Sequence, residues 1–319
     1  MAAPTVVSGS ALDPAAQRFL NHLASARGAS AYTVRNYTQA LRGFHEWHSE
    51  ERKTTPDWSS LGRDDFRAYL RYIGRRNLGR SAVHLRFSAL RSFYKFLVRE
   101  GTVEVSPIKN IALPKQPRRL PQFLTKQQML DLLAAPRSLL PPDTAPEPMR
   151  KRALRLCLRD EAIFETLYSC GLRISEVCGL KVEDLDKREG LVRIRGKGKK
   201  ERLVPIGDTA LKAIASYCSH LDDIAAAGAL FLSPKGGRAV CPRDIQRRLK
   251  RYLAAAGLDP NLTPHKLRHS YATHMLDAGA DLRSVQELLG HAHLTSTQVY
   301  THVTTERLKK AYAQAHPRA

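Results

Sequence analysis

Apolar residues in the N-terminal third recur three and four positions apart, the mark of helices that bury one face. Val34, Tyr37, Leu41 and Phe44 form one such stripe, with Ser30 ahead of it as an N-cap. Phe66, Tyr69, Leu70 and Ile73 form a shorter one behind Asp64 and Asp65, whose charges suit a helix N-terminus. Val83, Phe87, Leu90, Tyr94 and Leu97 make the clearest stripe, with Ser81 as its cap and Gly101 at its end. The aromatic members of these stripes read as core side chains. Arg80, Arg86, Arg91 and Lys95 fall largely off the last stripe. Residues 12–105 are therefore predicted to form a small helical domain with a basic outer surface, preceded by a flexible arm over 1–11.

Residues 106–122, SPIKNIALPKQPRRLPQ, hold four prolines and four basic residues. Proline stops helices, so this stretch reads as an extended linker. A second domain is expected over 123–319, opening with a helix from Thr125. Residues 136–150, PRSLLPPDTAPEPMR, read as a proline-rich loop with no assignable chemistry. Over 190–206 the period shortens to two: Val192 and Ile194 alternate with Arg193 and Arg195, then Gly196-Lys197-Gly198, then Leu203, Val204 and Ile206. That predicts a β-hairpin with a glycine-flanked basic tip. Asp184 and Asp186 end a helix and lead into it. Helical patterns return over 208–221, 242–256, 265–278 and 281–289, and a short one covers 304–315. The fold class is mainly α with a small β-sheet, in two domains.

Charge narrows the function. The chain of 319 residues carries a formal net charge of +22 and a pI near 10.1. The surplus is not a tail, since residues 1–113 already hold 17 Lys and Arg against 9 Asp and Glu. A polyanion is the expected partner, and nucleic acid comes first. The five cysteines form no CxxC pair and are odd in number, which points to reduced thiols rather than disulfides or a zinc site. No apolar run approaches a membrane span. The N-terminal MAAPTVVSGSALDP lacks a charged start followed by an apolar core, so a cytoplasmic location is expected.

Against that background a particular set of residues stands out. Arg173 sits in GLRISE, Lys197 in RGKGKKER, His265 and Arg268 in PHKLRHSYATH, and His291 in LLGHAHLTSTQVYTHV, which closes around Tyr300. A tyrosine hydroxyl attacking a DNA phosphate leaves a phosphotyrosine that keeps the bond energy, so a second strand can reseal it without ATP. The transition state spreads charge over the non-bridging oxygens, which two planar guanidiniums can clamp. An ammonium at a mobile tip can protonate the leaving oxygen. This chemistry calls for no metal and no cofactor. Carboxylates do not cluster as a two-metal nuclease would need.

The same motifs, in the same order, carry a resemblance. GLRISE, GKGKKERLVPIG, HKLRHSYATHML and LLGHAHLTSTQVYTHV resemble those of the tyrosine recombinases, most of all the bacterial Xer branch, and the likeness covers nearly the whole chain. It implies a SAM-like N-terminal core-DNA-binding domain and a catalytic domain, which together clamp duplex DNA. The family's catalytic roles fall on Arg173, Lys197, His265, Arg268, His291 and the nucleophile Tyr300, with Glu176 in support. Lys199 and Lys200 are neighbours that compete with Lys197 for the role of acid, Lys197 being favoured by its motif position, and with Arg80, Arg86, Arg91 and Lys95 they are candidate DNA contacts. His265 either accepts the tyrosine proton or binds a phosphate oxygen. His269, His274, His293 and His302 match no catalytic position and are left structural or DNA-facing.

The resemblance further implies cleavage through a 3′-phosphotyrosine, a Holliday junction, and a tetramer on two DNA sites, formed with itself or with a paralogue. A Xer role would resolve chromosome dimers at a dif-like site under an FtsK-type translocase. In the family the tail after Tyr300 docks on the neighbouring protomer; the alternative is a helix folded back on its own domain. Other readings share part of the pattern. An integrase of a phage, transposon or integron would bring an arm-binding domain, and none is read before residue 12. A type IB topoisomerase works as a monomer and has less use for the tail. A DNA-binding regulator would not need all six residues.

Overall fold

The computed structural model describes residues 12–26, 28–115, 123–196, 201–221, 228–234, 237–290 and 302–319, with side chains of the last stretch from 306 onward. The chain divides into two compact units, Met1–Leu120 and Pro121–Ala319.

The first unit is helical. Helix α1 (Pro14–Ser25) starts where Asp13 accepts from the Ala15 amide at 2.8 Å. Helix α2 (Ala31–Arg52) is capped by Ser30, as its sequence predicts. In α3 (Arg63–Arg75) Asp65 reaches back to the Gly62 amide at 3.0 Å, so one of the two acidic residues satisfies an orphan donor. Helix α4 (Arg80–Arg99) begins at Gly79, not Ser81: Asn77 turns the chain through a left-handed conformation and leaves Ser81 inside the helix. The left-handed Gly101 ends it. Phe44, Phe66, Tyr69, Phe87 and Tyr94 are all buried, as core aromatics should be. The described part of the expected linker belongs to this unit. Ile108 and Ile111 are buried in its core, because the prolines stop a helix without stopping hydrophobic burial.

The second unit is built around α6 (Glu147–Ser169), buried along its second half. Before it, α5 (Lys126–Ser138) has a capping box between Thr125 and Gln128. Pro136 lies in the last turn of α5, where the chain is about to leave the helix. The loop is therefore confined to 139–146, shorter than the expected 136–150. After α7 (Ile174–Cys178) and a 3-10 turn (Val182–Asp184) comes an antiparallel sheet: β1 (Leu185–Asp186), β2 (Leu191–Arg195) and β3 (Glu201–Pro205), in that order. The hairpin pairs Val192 with Val204 and Ile194 with Arg202. Strand β1, absent from the sequence reading, is only two residues long and carries too little alternation to detect. Helices α8 (Asp208–Cys218), α9 (Pro242–Ala255), α10 (Pro264–Asp277), α11 (Leu282–Leu289) and α12 (His302–Ala315) follow.

The tail packs on its own unit. Leu308, Tyr312 and Ala315 are buried in the second core. Tyr312 and Ser169 share a 2.7 Å hydrogen bond, and Arg318 donates to Glu165 at 2.7 Å. In this single chain the tail takes the fold-back arrangement. The apolar face of α12 is buried there in the core of its own unit. Among the described residues no helix is long and apolar enough to cross a membrane.

Candidate active site

Helix α7 is a single short turn, and Arg173 is its N-cap. Glu176 closes the turn. Its Oε2 accepts from the Arg173 amide at 2.7 Å, and its Oε1 from Arg173 Nη1 at 2.9 Å. Just upstream, Gly171 adopts a left-handed φ of +57°, and a Cβ there would lie 2.6 Å from the Tyr271 ring. The bare backbone lets that ring close in and aims the Gly171 carbonyl at Arg268, whose Nη1 donates to it at 2.8 Å. Arg268 sits on α10, and its Nη2 donates to the Leu289 carbonyl at the end of α11. Its Nη1 lies 3.8 Å from Glu176 Oε2.

A third guanidinium joins them. Arg202 on β3 donates to both oxygens of Glu176, at 2.9 and 3.0 Å, and to the Leu288 carbonyl at 3.3 Å. The pocket thus gathers three guanidiniums around one carboxylate, a net positive charge in a partly buried setting. Burial pushes the Glu176 carboxyl upward, but hydrogen bonds and charge from Arg202, then Arg173, outweigh it and hold the group below its ordinary value. Burial, then the neighbouring Arg173 cation, lowers Arg268 to about 10, so it keeps its charge at neutral pH. Arg173 is the open member: its side chain is 46% exposed, against 6% for Arg268. Such a site is preorganised for an anion with oxygens to clamp.

The structure brings Arg173, Glu176 and Arg268 together. His265 lies exposed one turn before Arg268 at the start of α10. Lys197, Lys199, Lys200, His291 and Tyr300 lie outside the described residues. His274 is structural, set between the Tyr168 hydroxyl and the Leu124 carbonyl, each at 2.8 Å. His269 packs edge-on to Phe123. Of the basic residues on α4, Arg86 donates to the Tyr69 hydroxyl and Arg91 to the Ile111 carbonyl. Arg80 donates to the Lys115 carbonyl, yet stays exposed, as Lys95 does.

Two features escaped the sequence reading. Arg202 is in phase with Val204 on the inward face of β3, so a charge at an apolar position was the available signal. Helix α9 buries Ile245, Leu249, Tyr252 and Leu253 and exposes Arg243, Gln246, Arg247, Lys250 and Arg251. The spacing of three and four in PRDIQRRLKRYL places those cations on one face.

Residues 122–307 match the model of the phage integrase family, and residues 16–101 match the phage integrase N-terminal SAM-like domain. The chain is a tyrosine recombinase of the phage integrase family. The tyrosine recombinase XerC of Pelotomaculum thermopropionicum is 40% identical over 94% of this chain and 97% of its own length. That of Myxococcus xanthus is 39% identical over 97% and 99%. Among solved structures, XerH recombinase bound to a palindromic difH substrate shares the fold at a TM-score of 0.66 and 22% identity, covering 93% of this chain and 84% of that one. Lambda integrase bound to DNA does so at 0.60 and 21%, covering 89% and 93%. Xer-type site-specific recombination is the activity of this tyrosine recombinase. Its gathered residues Arg173, Glu176, Arg202 and Arg268 all fall within the segment matched to the integrase family.

Proposed function

We propose that this recombinase cuts and rejoins duplex DNA through a 3′-phosphotyrosine at Tyr300, exchanges strands through a Holliday junction, and resolves chromosome dimers at a dif-like site. The observation that carries the reading is the convergence of Arg173 and Arg268 on Glu176, a positive pocket with one arginine open to solvent. The two guanidiniums clamp the non-bridging oxygens while Tyr300 attacks, and Lys197 protonates the leaving 5′-oxygen. His265 accepts the proton of the Tyr300 hydroxyl, and His291 contacts the same phosphate. Metal ions and cofactors have no part in these steps.

The N-terminal helical domain, 12–105, and the catalytic domain, 123–319, both contact the DNA. Arg243, Arg247, Lys250 and Arg251 on α9 supply phosphate and base contacts, joined by Lys199, Lys200, Arg80 and Lys95. Arg86 and Arg91 contribute mainly by holding the first unit together. Binding falls steeply with added salt as counterions are released. The partners are further copies, of itself or a paralogue, in a tetramer on two sites, governed by an FtsK-type translocase. The XerC names of its relatives and the difH substrate of XerH support this role.

Covalent trapping tests the proposal. Wild type and Tyr300→Phe are mixed with a nicked suicide duplex carrying a dif-like site, in the presence of a chelator, and run on a denaturing gel. A DNA-shifted band from wild type alone is expected. A wild-type protein that binds the duplex and forms no covalent band, with or without a paralogue, overturns the reading.

A further inference from the structure

We propose that Arg202 is the positioning residue of this active site, holding Glu176 and the end of α11 so that Arg173 and Arg268 are set in place for the phosphate. The inference rests on the reading of the Arg173–Arg268 pocket as the phosphate site, and it concerns what builds that pocket.

Folding alone does not call for an arginine here. Position 202 pairs with Ile194 and shares its face with the buried Val204, where an aliphatic side chain would pack. A buried guanidinium is tolerated only when its donors are met. Those of Arg202 are met in two directions. Toward α7, it forms a two-pronged fork on both oxygens of Glu176. Toward α11, its Nε donates to the Leu288 carbonyl. All three nitrogens of its guanidinium are engaged inside the protein, which assigns it to building the pocket and not to holding the phosphate.

Each contact passes on to a residue of the site. Glu176, fixed by the fork, accepts from the Arg173 amide and from its guanidinium, so Arg202 orients Arg173 through one carboxylate. Arg202 also neutralises that carboxylate. Without it, the full negative charge would draw Arg173 and Arg268 inward, Arg268 being 3.8 Å away already. On the other side, Leu288 precedes Leu289, whose carbonyl receives Arg268. Gly290 then turns with φ +65° directly against Arg202, where a Cβ would lie 3.0 Å from Nε and 3.1 Å from Cδ and Cζ. The next residue is His291, and Arg202 itself follows Lys197 by five positions. One buried cation thereby ties together α7, β3 and the end of α11.

The test uses the full-length protein in single-turnover cleavage of the nicked suicide duplex, with DNA affinity and thermal melting measured alongside. Arg202→Met is expected to slow cleavage about 100-fold, since small misplacements of a reacting group cost that much. DNA affinity should stay within about threefold, because the residue acts through the site and not through phosphate contacts. Arg202→Lys, which keeps the charge and loses the fork, should recover part of the rate. Glu176→Gln combined with Arg202→Met should be no slower than the worse single variant by more than about threefold, because residues acting as one unit are non-additive. Should Arg202→Met fail to melt cooperatively, the same cycle is run with Arg202→Lys. Cleavage at the wild-type rate, effects that multiply, or a parallel loss of DNA affinity would each overturn the proposal. A wild-type protein that binds the duplex and forms no covalent product, with or without a paralogue, instead sinks the phosphotyrosine reading itself.

Discussion

The first unit packs Phe44 against Trp47, Trp58, Phe66 and Tyr69, with ring centroids 4.9–5.3 Å apart, whereas the second packs Asp160 among Arg159, Arg248 and Tyr252. Among the described residues His48 is the one buried polar or charged side chain of the first unit, while the second buries Arg159, Asp160, Glu165, Arg202 and Arg268. Apolar and aromatic burial stabilises without needing a partner for each group. Buried ions need partners on every side, and well-packed hydrophobic residues often serve stability as well. The contrast teaches that the second unit must meet each buried ion with partners drawn from distant segments, whereas the first has almost no polar interior to satisfy.

The largest effects should test that contrast directly. Phe44→Ala removes a ring from the aromatic cluster and should cost about 3–5 kcal/mol. Asp160→Ala leaves the buried Arg159 and the partly buried Arg248 without their carboxylate and should cost a similar 3–5 kcal/mol, roughly, for a different reason. Hydrogen exchange by mass spectrometry separates the two. Faster exchange is expected in α2, α3 and α4 for the first variant, and in α6 and α9 for the second. A loss below about 1 kcal/mol for Asp160→Ala would show that the ionic interior contributes little.

A smaller effect concerns the tail. Burial, opposed by Arg318, raises Glu165 from 4.5 to about 7, and burial lowers His316 from 6.5 to about 4. Between pH 4.5 and 7 the folded protein holds a proton on Glu165 that the unfolded chain releases, so stability falls as pH rises through that window. His316 acts oppositely: from pH 4 to 6.5 the unfolded chain takes a proton that the folded protein excludes, and stability rises. The two slopes oppose each other over most of this range. Glu165→Gln deletes the first, so the stability of the variant relative to wild type should climb across pH 4.5–7, by up to about 1.4 kcal/mol per pH unit. Melting temperatures across that range provide the check, and a flat difference would contradict it. The smallest effect is expected at the exposed pair of Lys151 and Glu147 on α6. Lys151→Met should change stability by no more than about 0.5 kcal/mol in urea titrations. A larger loss would mean that surface charge, and not only buried charge, shapes the second unit.

Legibility followed the same divide. The stripes of α2, α3 and α4 stood out because every third or fourth residue faces one apolar core. The hairpin was readable from Val192 and Ile194 alternating with arginines. The cap of α4 was misplaced by two residues because the turn at Asn77 uses backbone conformation, which a serine nearby imitates in sequence. The linker was misread in part because prolines announce the absence of a helix but not the burial of Ile108 and Ile111. In the site, Arg173 and Arg268 were legible from their motifs, and Glu176 with them. Arg202 was not, since its partners lie 26 residues away in α7 and 86 away at Leu288.

By itself the sequence determined the helical first domain, the basic character of the whole chain, the hairpin, and the residue types from which phosphodiester chemistry is assembled. Periodicity, charge and local motif are properties of neighbouring residues, and these determinations needed nothing more. Tertiary structure alone decided that three arginines share one carboxylate, that Gly171 and Gly290 leave room for Tyr271 and Arg202, and that α12 returns to its own unit. Those outcomes depend on which distant segments meet in a dense, low-dielectric interior, where each buried charge must find its partner across the fold.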